Sequence, residues 1–205
     1  MRKALEIGGF IAGAVLIAFG IATIVIGVNG RDTVQSNLAQ EQIYFGNAAQ
    51  DKTVPKQYSQ QLVNNGDKAR AFAKMMRGHT LEATNGLTYA QMGRFLAKPG
   101  TPAKLTDGQG GTNVDTSAAI DPKTKQPISN PARNIWVTET ALTTALNAAY
   151  MGERIALFGI VVGIALLLTG IGFEVLAIGG ALRNPESALA FRKKEAPATP
   201  LVPTH

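Results

Sequence analysis

Residues 7–28 read IGGFIAGAVLIAFGIATIVIGV, 22 positions without a charge. At 1.5 Å per residue a helix of that length spans about 33 Å, enough to cross the roughly 30 Å hydrocarbon core of a bilayer. A second run, IALFGIVVGIALLLTGIGF, fills residues 155–173 and resumes at 175–182 after the single carboxylate of Glu174. Two such runs around a polar middle predict an all-α membrane protein. The expected form is a two-span antiparallel helical hairpin with an extracytoplasmic helical domain between the spans.

The expected organisation follows. Residues 1–6 form a cytoplasmic N-terminus, 7–28 the first span, and 29–153 the extracytoplasmic domain with a flexible loop at 98–130. Residues 154–182 form the second span, and 183–205 a basic, disordered cytoplasmic tail. The sequence holds 205 residues at a mean hydropathy of +0.06, an average that hides these contrasting parts. The middle is long enough for one small domain.

Orientation comes from the flanks. Arg2, Lys3, Arg183, Arg192, Lys193 and Lys194 hug the membrane ends, and short Lys/Arg-rich flanks stay in the cytoplasm while long loops translocate largely regardless of charge. Both termini are therefore expected inside, at the plasma membrane. The first run exceeds the 7–15-residue apolar core of a signal peptide, and no convincing cleavage site follows, so it reads as an uncleaved signal anchor. Charges in the middle are scattered without runs, which describes a solvated surface and not a nucleic-acid stripe. There are no cysteines, which excludes disulfides, thiolate nucleophiles and cysteine metal sites.

The first helix is expected to continue outward, since Val34, Leu38 and Phe45 keep helical spacing, with Asn29-Gly30 as a kink. Residues 46–55 have linker composition. A helix is expected from Asp67 to Ala83, with Ala69, Phe72, Ala73, Met76 and Leu81 inward and Asn85-Gly86 ending it. A shorter helix is expected over residues 88–97, with Tyr89, Met92, Phe95 and Leu96 inward. Residues 98–130 carry few large apolar side chains and read as a long exposed flap. Asn130-Pro131 then opens a helix. Neither Pro nor Gly recurs until Gly152, so one helix of about 50 residues, roughly 75 Å long, is expected to run into the second span. After it, residues 186–195 form a short basic stretch suited to the inner leaflet.

Small residues recur every seven positions in both runs: Gly13, Gly20 and Gly27 in the first, Ala156, Gly163, Gly170 and Ala177 in the second. Seven-residue spacing keeps a seam on one face of a left-handed helix pair, and small side chains let backbones approach. Ile135, Leu142 and Ala149 continue the second stripe outward. The seam joins either the two spans or one span and another subunit. Glu6 and Glu174 flank it. Glu174 snorkels if the span ends at Phe173. If the span reaches Leu182 it wants a partner for an intramembrane ion pair, Lys3 or Arg2 on the neighbouring helix or a cation on another subunit. A proton or ion role is the remaining alternative, although one carboxylate does not make a relay.

Catalytic constellations are not apparent. His79 has Glu82 one turn away, which reads as a surface ion pair or cap contact, and His205 ends the tail. Asp107-Gly108-Gln109-Gly110-Gly111 with Asp115 lacks the alternating ligands and terminal Glu of a calcium loop. No phosphate-binding loop, dinucleotide fingerprint or serine-nucleophile motif is present. Trp136 and Tyr150 read as packing or interfacial anchors. No cofactor is expected.

Residues 81–94 (LEATNGLTYAQMGR), 121–124 (DPKT), 132–142 (ARNIWVTETAL) and 163–170 (GIALLLTG) resemble a family of small actinobacterial two-span membrane proteins. Its members often carry the label "aromatic ring-opening dioxygenase". That label implies iron held by two histidines and a carboxylate. With His205 in the tail, only His79 is left for that role, so the resemblance implies topology and not activity. The leading expectation is a non-enzymatic accessory or scaffold subunit, with lipid and either other membrane subunits or its own copies as partners. The alternative is an extracytoplasmic ligand-binding or sensing module.

Overall fold

The computed structural model describes residues 2–179, with side chains from residue 4 onward. Residues 180–205, and with them the expected inner-leaflet stretch and tail, lie outside the described residues. The described chain is mostly helical: α1 (Arg2–Gln40), α2 (Gly66–Ala83) and α3 (Ala132–Ile178), with two short strands, β1 (Phe95–Leu96) and β2 (Gly111–Thr112). The described chain divides into two compact units, residues 2–29 with 155–179, and Gly30–Arg154.

In the first unit, α1 and α3 are long and apolar enough to cross a membrane. Only 17% and 11% of their most apolar windows are buried, so both segments leave most of their apolar surface uncovered by the described chain. Phe19, Ile26, Phe158 and Ile178 are each more than 60% exposed. An apolar surface of that extent marks a protein or membrane contact.

The small residues of this unit face one another. A methyl group on Gly20 would sit 2.8 Å from the Gly163 carbonyl oxygen and 2.7 Å from the Leu167 nitrogen. One on Gly27 would meet the Ala156 carbonyl at 2.8 Å, and one on Gly13 the Gly170 carbonyl at 3.0 Å. Partners on α3 descend in number as those on α1 rise, so the two segments run in opposite directions. Backbone against backbone leaves nothing that yields to an added side chain.

The second unit packs around Leu38, Phe45, Val54, Val63, Ala69, Ala73, Met75 and Leu146. Phe45 anchors it, stacking on Tyr58 at 5.4 Å and meeting Phe72 edge-on at 5.3 Å. Its backbone N–H donates to Gln61, and that of Val63 to Ile43, which closes the 41–65 segment into a hairpin-like loop. Asn65 caps α2 by accepting from the Lys68 N–H. At the other end Asn85 and Gly86 adopt positive φ, and the Gly86 N–H donates to the Leu81 carbonyl at 2.7 Å, a Schellman-type stop.

Residues 88–130 differ from expectation. No helix forms over 88–97. Thr88 and Gln91 do pair as a helix start would, the Thr88 N–H donating to Gln91 Oε1, but the turn ends at once. Gly93 ends it, because its Cα lies against the Thr112 backbone where no Cβ fits. Phe95 and Leu96 instead pair antiparallel with Thr112 and Gly111. Residues 98–130 are mostly exposed, as expected of a loop, but the segment is pinned at Thr112, Ser117, Ala118 and Asn130, which are buried. Asp107 holds the segment by accepting N–H bonds from Gly93, Gln109 and Gly111, each at 2.8 Å. Partial burial pushes its carboxyl pKa up, and those three donors outweigh it, holding the carboxyl below the usual range. Asn130 donates to the Gly93 carbonyl and accepts from the Ala132 N–H, so it ties this segment to the start of α3.

Gly20→Val should weaken pairing in the first unit by about 1–3 kcal/mol, the usual penalty of overpacking. The check is the detergent fraction at half-unfolding in an SDS titration. Gly8→Val and Gly172→Val, where an added Cβ meets nothing within 4 Å, should leave it unchanged.

Candidate functional site

Three features of the second unit carry chemistry, and all involve α3. The first is Glu153, with its side chain 9% exposed. One carboxylate oxygen accepts from Arg31 Nε at 2.9 Å and Gln35 Nε2 at 2.7 Å, both on α1. The other accepts from the Gly66 N–H at the first turn of α2. Helix N-terminal N–H groups have no intrahelical acceptor, and the helix dipole favours an anion there. A single side chain thus gathers three helices. Beside it Arg154 pairs with Asp67, and Tyr150 lies between Arg70 and Arg154, with both guanidinium carbons within 5.0 Å of its ring centre.

The second feature is an apolar groove of about 740 Å³ between α1, α2 and α3. Its walls are i, i+4 pairs: Val34 and Leu38 from α1, Phe72 and Met76 from α2, Ala145 and Ala149 from α3. The two alanines leave the space that larger side chains would close. Glu41 is the one charged residue on the lining.

The third is the outward face of α3. Val137, Thr140, Ala141, Thr144, Ala148 and Met151 follow helical spacing and are all exposed. From Thr140 to Gly152 the sequence holds no charged residue.

The stripe read from sequence places Ile135, Leu142 and Ala149 inward. The structure brings Ala149 against the core, yet leaves Ile135 and Leu142 41% and 46% exposed. The most buried row lies four residues on, at Glu139, Leu146 and Glu153, which are 3%, 5% and 7% exposed. Two of its three members are acids, so a hydrophobic period passes over them. The signal that finds Glu153 is the partner charge: Arg31 lies three residues before Val34. Glu139 accepts from the Thr140 hydroxyl at 3.3 Å.

His79 makes a surface contact to an acid as expected, but the acid is Asp51 and not Glu82. Its Nε2 sits 3.0 Å from Asp51 Oδ2 and 2.6 Å from Thr53 Oγ1. The hydroxyl and backbone N–H of Thr53, foremost, hold the Asp51 carboxyl below its usual range. One ring nitrogen faces both partners, so this is a loop tie and not an acid–imidazole–hydroxyl relay, which needs both nitrogens. Trp136 is an anchor, 3% exposed, its indole N–H donating to the Leu87 carbonyl at 2.9 Å with the Arg77 guanidinium over its ring. Among the described residues no three His, Asp or Glu side chains converge as a metal site.

The remaining sequence candidates fall in the first unit. Gly13, Gly20 and Gly27 face Gly170, Gly163 and Ala156 as given above, and Ala177 is 5% exposed. The Glu174 carboxylate lies against Gly13, and Glu6 lines a small pocket with Phe10, Ala177 and Ile178. Neither acid has an ion pair among the described residues, and the Lys3 side chain lies outside them.

Glu153→Leu removes the acceptor of Arg31, Gln35 and Gly66 together and should cost about 3 kcal/mol, as when a buried pair loses one partner. Glu153→Gln keeps one acceptor oxygen and should cost less. Trp136 is the sole tryptophan, so its fluorescence during thermal unfolding in lipid nanodiscs reads this unit directly.

No family model, curated protein or solved structure matches this chain.

Proposed function

We propose that this chain is a two-span protein of the plasma membrane, with both termini cytoplasmic and the unit of residues 30–154 extracytoplasmic. In this reading it serves as a non-enzymatic accessory subunit of a larger membrane assembly. The observation behind it is the uncharged, exposed face of α3. Domain surfaces are ordinarily about a quarter to a third charged. A run of 13 uncharged residues, mostly exposed and rich in Ala and Thr, suits contact with another helix better than contact with water. The Gly-rich runs supply the same kind of surface within lipid. The Lys and Arg flanks support the orientation. The resemblance to small actinobacterial two-span proteins supports the topology and supplies no activity.

A second reading, a ligand-binding or sensing module, is favoured by the groove between α1, α2 and α3. Its volume lies in the range of small-molecule sites.

A photoreactive phenylalanine analogue at Ala148, irradiated in intact membranes, should give protein adducts identifiable by mass spectrometry. The same analogue at the exposed Lys123 should not. Absence of adducts at both Ala141 and Ala148, with only monomer in every mild detergent, would remove the accessory reading.

A further inference from the structure

The groove between α1, α2 and α3 carries an inference that deepens the second reading and rests on it. We propose that it binds a single-chain cationic amphiphile, with the alkyl chain along the groove and the ammonium at Glu41. Its base is dry: Leu38 and Leu146 are 7% and 5% exposed. Its rim is open, with Leu142 46% exposed. At about 740 Å³ it suits one small ligand, in the usual range of about 300–1,000 Å³.

The head-group preference comes from electrostatics at the end of α1. The helix stops at Gln40 with no basic residue in its last turn. A helix C-terminus carries the negative end of the dipole and favours a cation. Here the next residue is Glu41, an acid placed where its own helix disfavours it. Glu41 has no ion pair among the described residues, and no other charged residue lines the groove. An ammonium at this spot answers both the carboxylate and the α1 carbonyl end. A fatty acid or an anionic lipid would bring a second negative charge to the same place.

The test uses the full chain in phosphatidylcholine nanodiscs, with dodecylamine and dodecanoate each carrying a diazirine in the chain, and peptide mapping of the adducts. Dodecylamine should label the α2 and α3 peptides around Phe72, Met76 and Ala145 about fivefold more than dodecanoate, the factor expected of one partly exposed charge contact. Glu41→Gln, an exposed and conservative change, should erase that preference while leaving chain labelling. Ala145→Trp should abolish labelling at these peptides, with folding checked by thermal unfolding followed by circular dichroism, since this variant adds a second tryptophan. Equal labelling by acid and amine, or adducts confined to residues 7–28 and 155–178, would overturn the proposal. So would loss of self-association in Ala145→Trp with amphiphile labelling intact, which would assign the groove to a second copy. Equal labelling of the groove peptides by acid and amine would overturn the cationic preference and leave the ligand-binding reading standing, whereas groove peptides labelled by neither would remove both.

Discussion

A carboxylate buried among three helices is the constraint on which the unit of residues 30–154 turns. Glu153 stands where α1, α2 and α3 meet, and every one of its partners comes from a helix other than its own. Desolvating an acid costs several kcal/mol, and only good hydrogen-bond geometry offsets it. Here that geometry includes a guanidinium, an amide and a helix N-terminus. Consequently the start of α2 cannot drift from α3 without stranding a charge. The aromatic cluster of Phe45, Tyr58 and Phe72 gives the unit its apolar burial, and Glu153 decides which helix faces share it.

How legible this was in the sequence depended on which force shaped each segment. Length and hydropathy alone identify the two apolar helices, because lipid demands about 20 uncharged residues and nothing subtler. The start of α3 was readable at Asn130-Pro131, and the end of α2 at Asn85-Gly86, because both rest on local backbone chemistry. Residues 88–130 were not readable, because they are held by hydrogen bonds to Asp107 and Asn130 and by close backbone approach at Gly93. None of these leaves a hydrophobic period. The Thr88/Gln91 pair shows the limit well: the local signal for a helix was present, and Gly93, packed on Thr112, overrode it one turn later.

Two rows recur every seven residues along α3, and only one of them is conspicuous in the sequence. That row, Ile135, Leu142, Ala149, Ala156, Gly163, Gly170 and Ala177, stands out because its members are small or apolar. The other, Glu139, Leu146, Glu153, Ile160, Leu167 and Glu174, mixes apolar residues with acids and so looks like a solvated face. Within each unit, members of this second row make the close contacts: Leu167 against Gly20, Ile160 against Gly27, Glu174 against Gly13, and Glu153 against Gly66. Glycine on one helix makes room for the larger side chain on its partner, so small and large rows alternate across the seam.

Such a repeat has an inherent weakness. Rows that recur every seven residues pack nearly as well after a seven-residue slip, since small residues would again meet Leu or Ile. Apolar packing is non-directional and does not penalise that slip strongly. Within the unit of residues 30–154, Glu153 does penalise such a slip. Moving α3 by one heptad in either direction would carry the carboxylate about 10 Å along the axis, far from Arg31, Gln35 and the Gly66 N–H. It would leave an unpaired acid in a site only 9% open to water, beside an orphaned helix N-terminus. The acid that weakens the hydrophobic pattern is therefore what makes one register of the helices in this unit better than its neighbours.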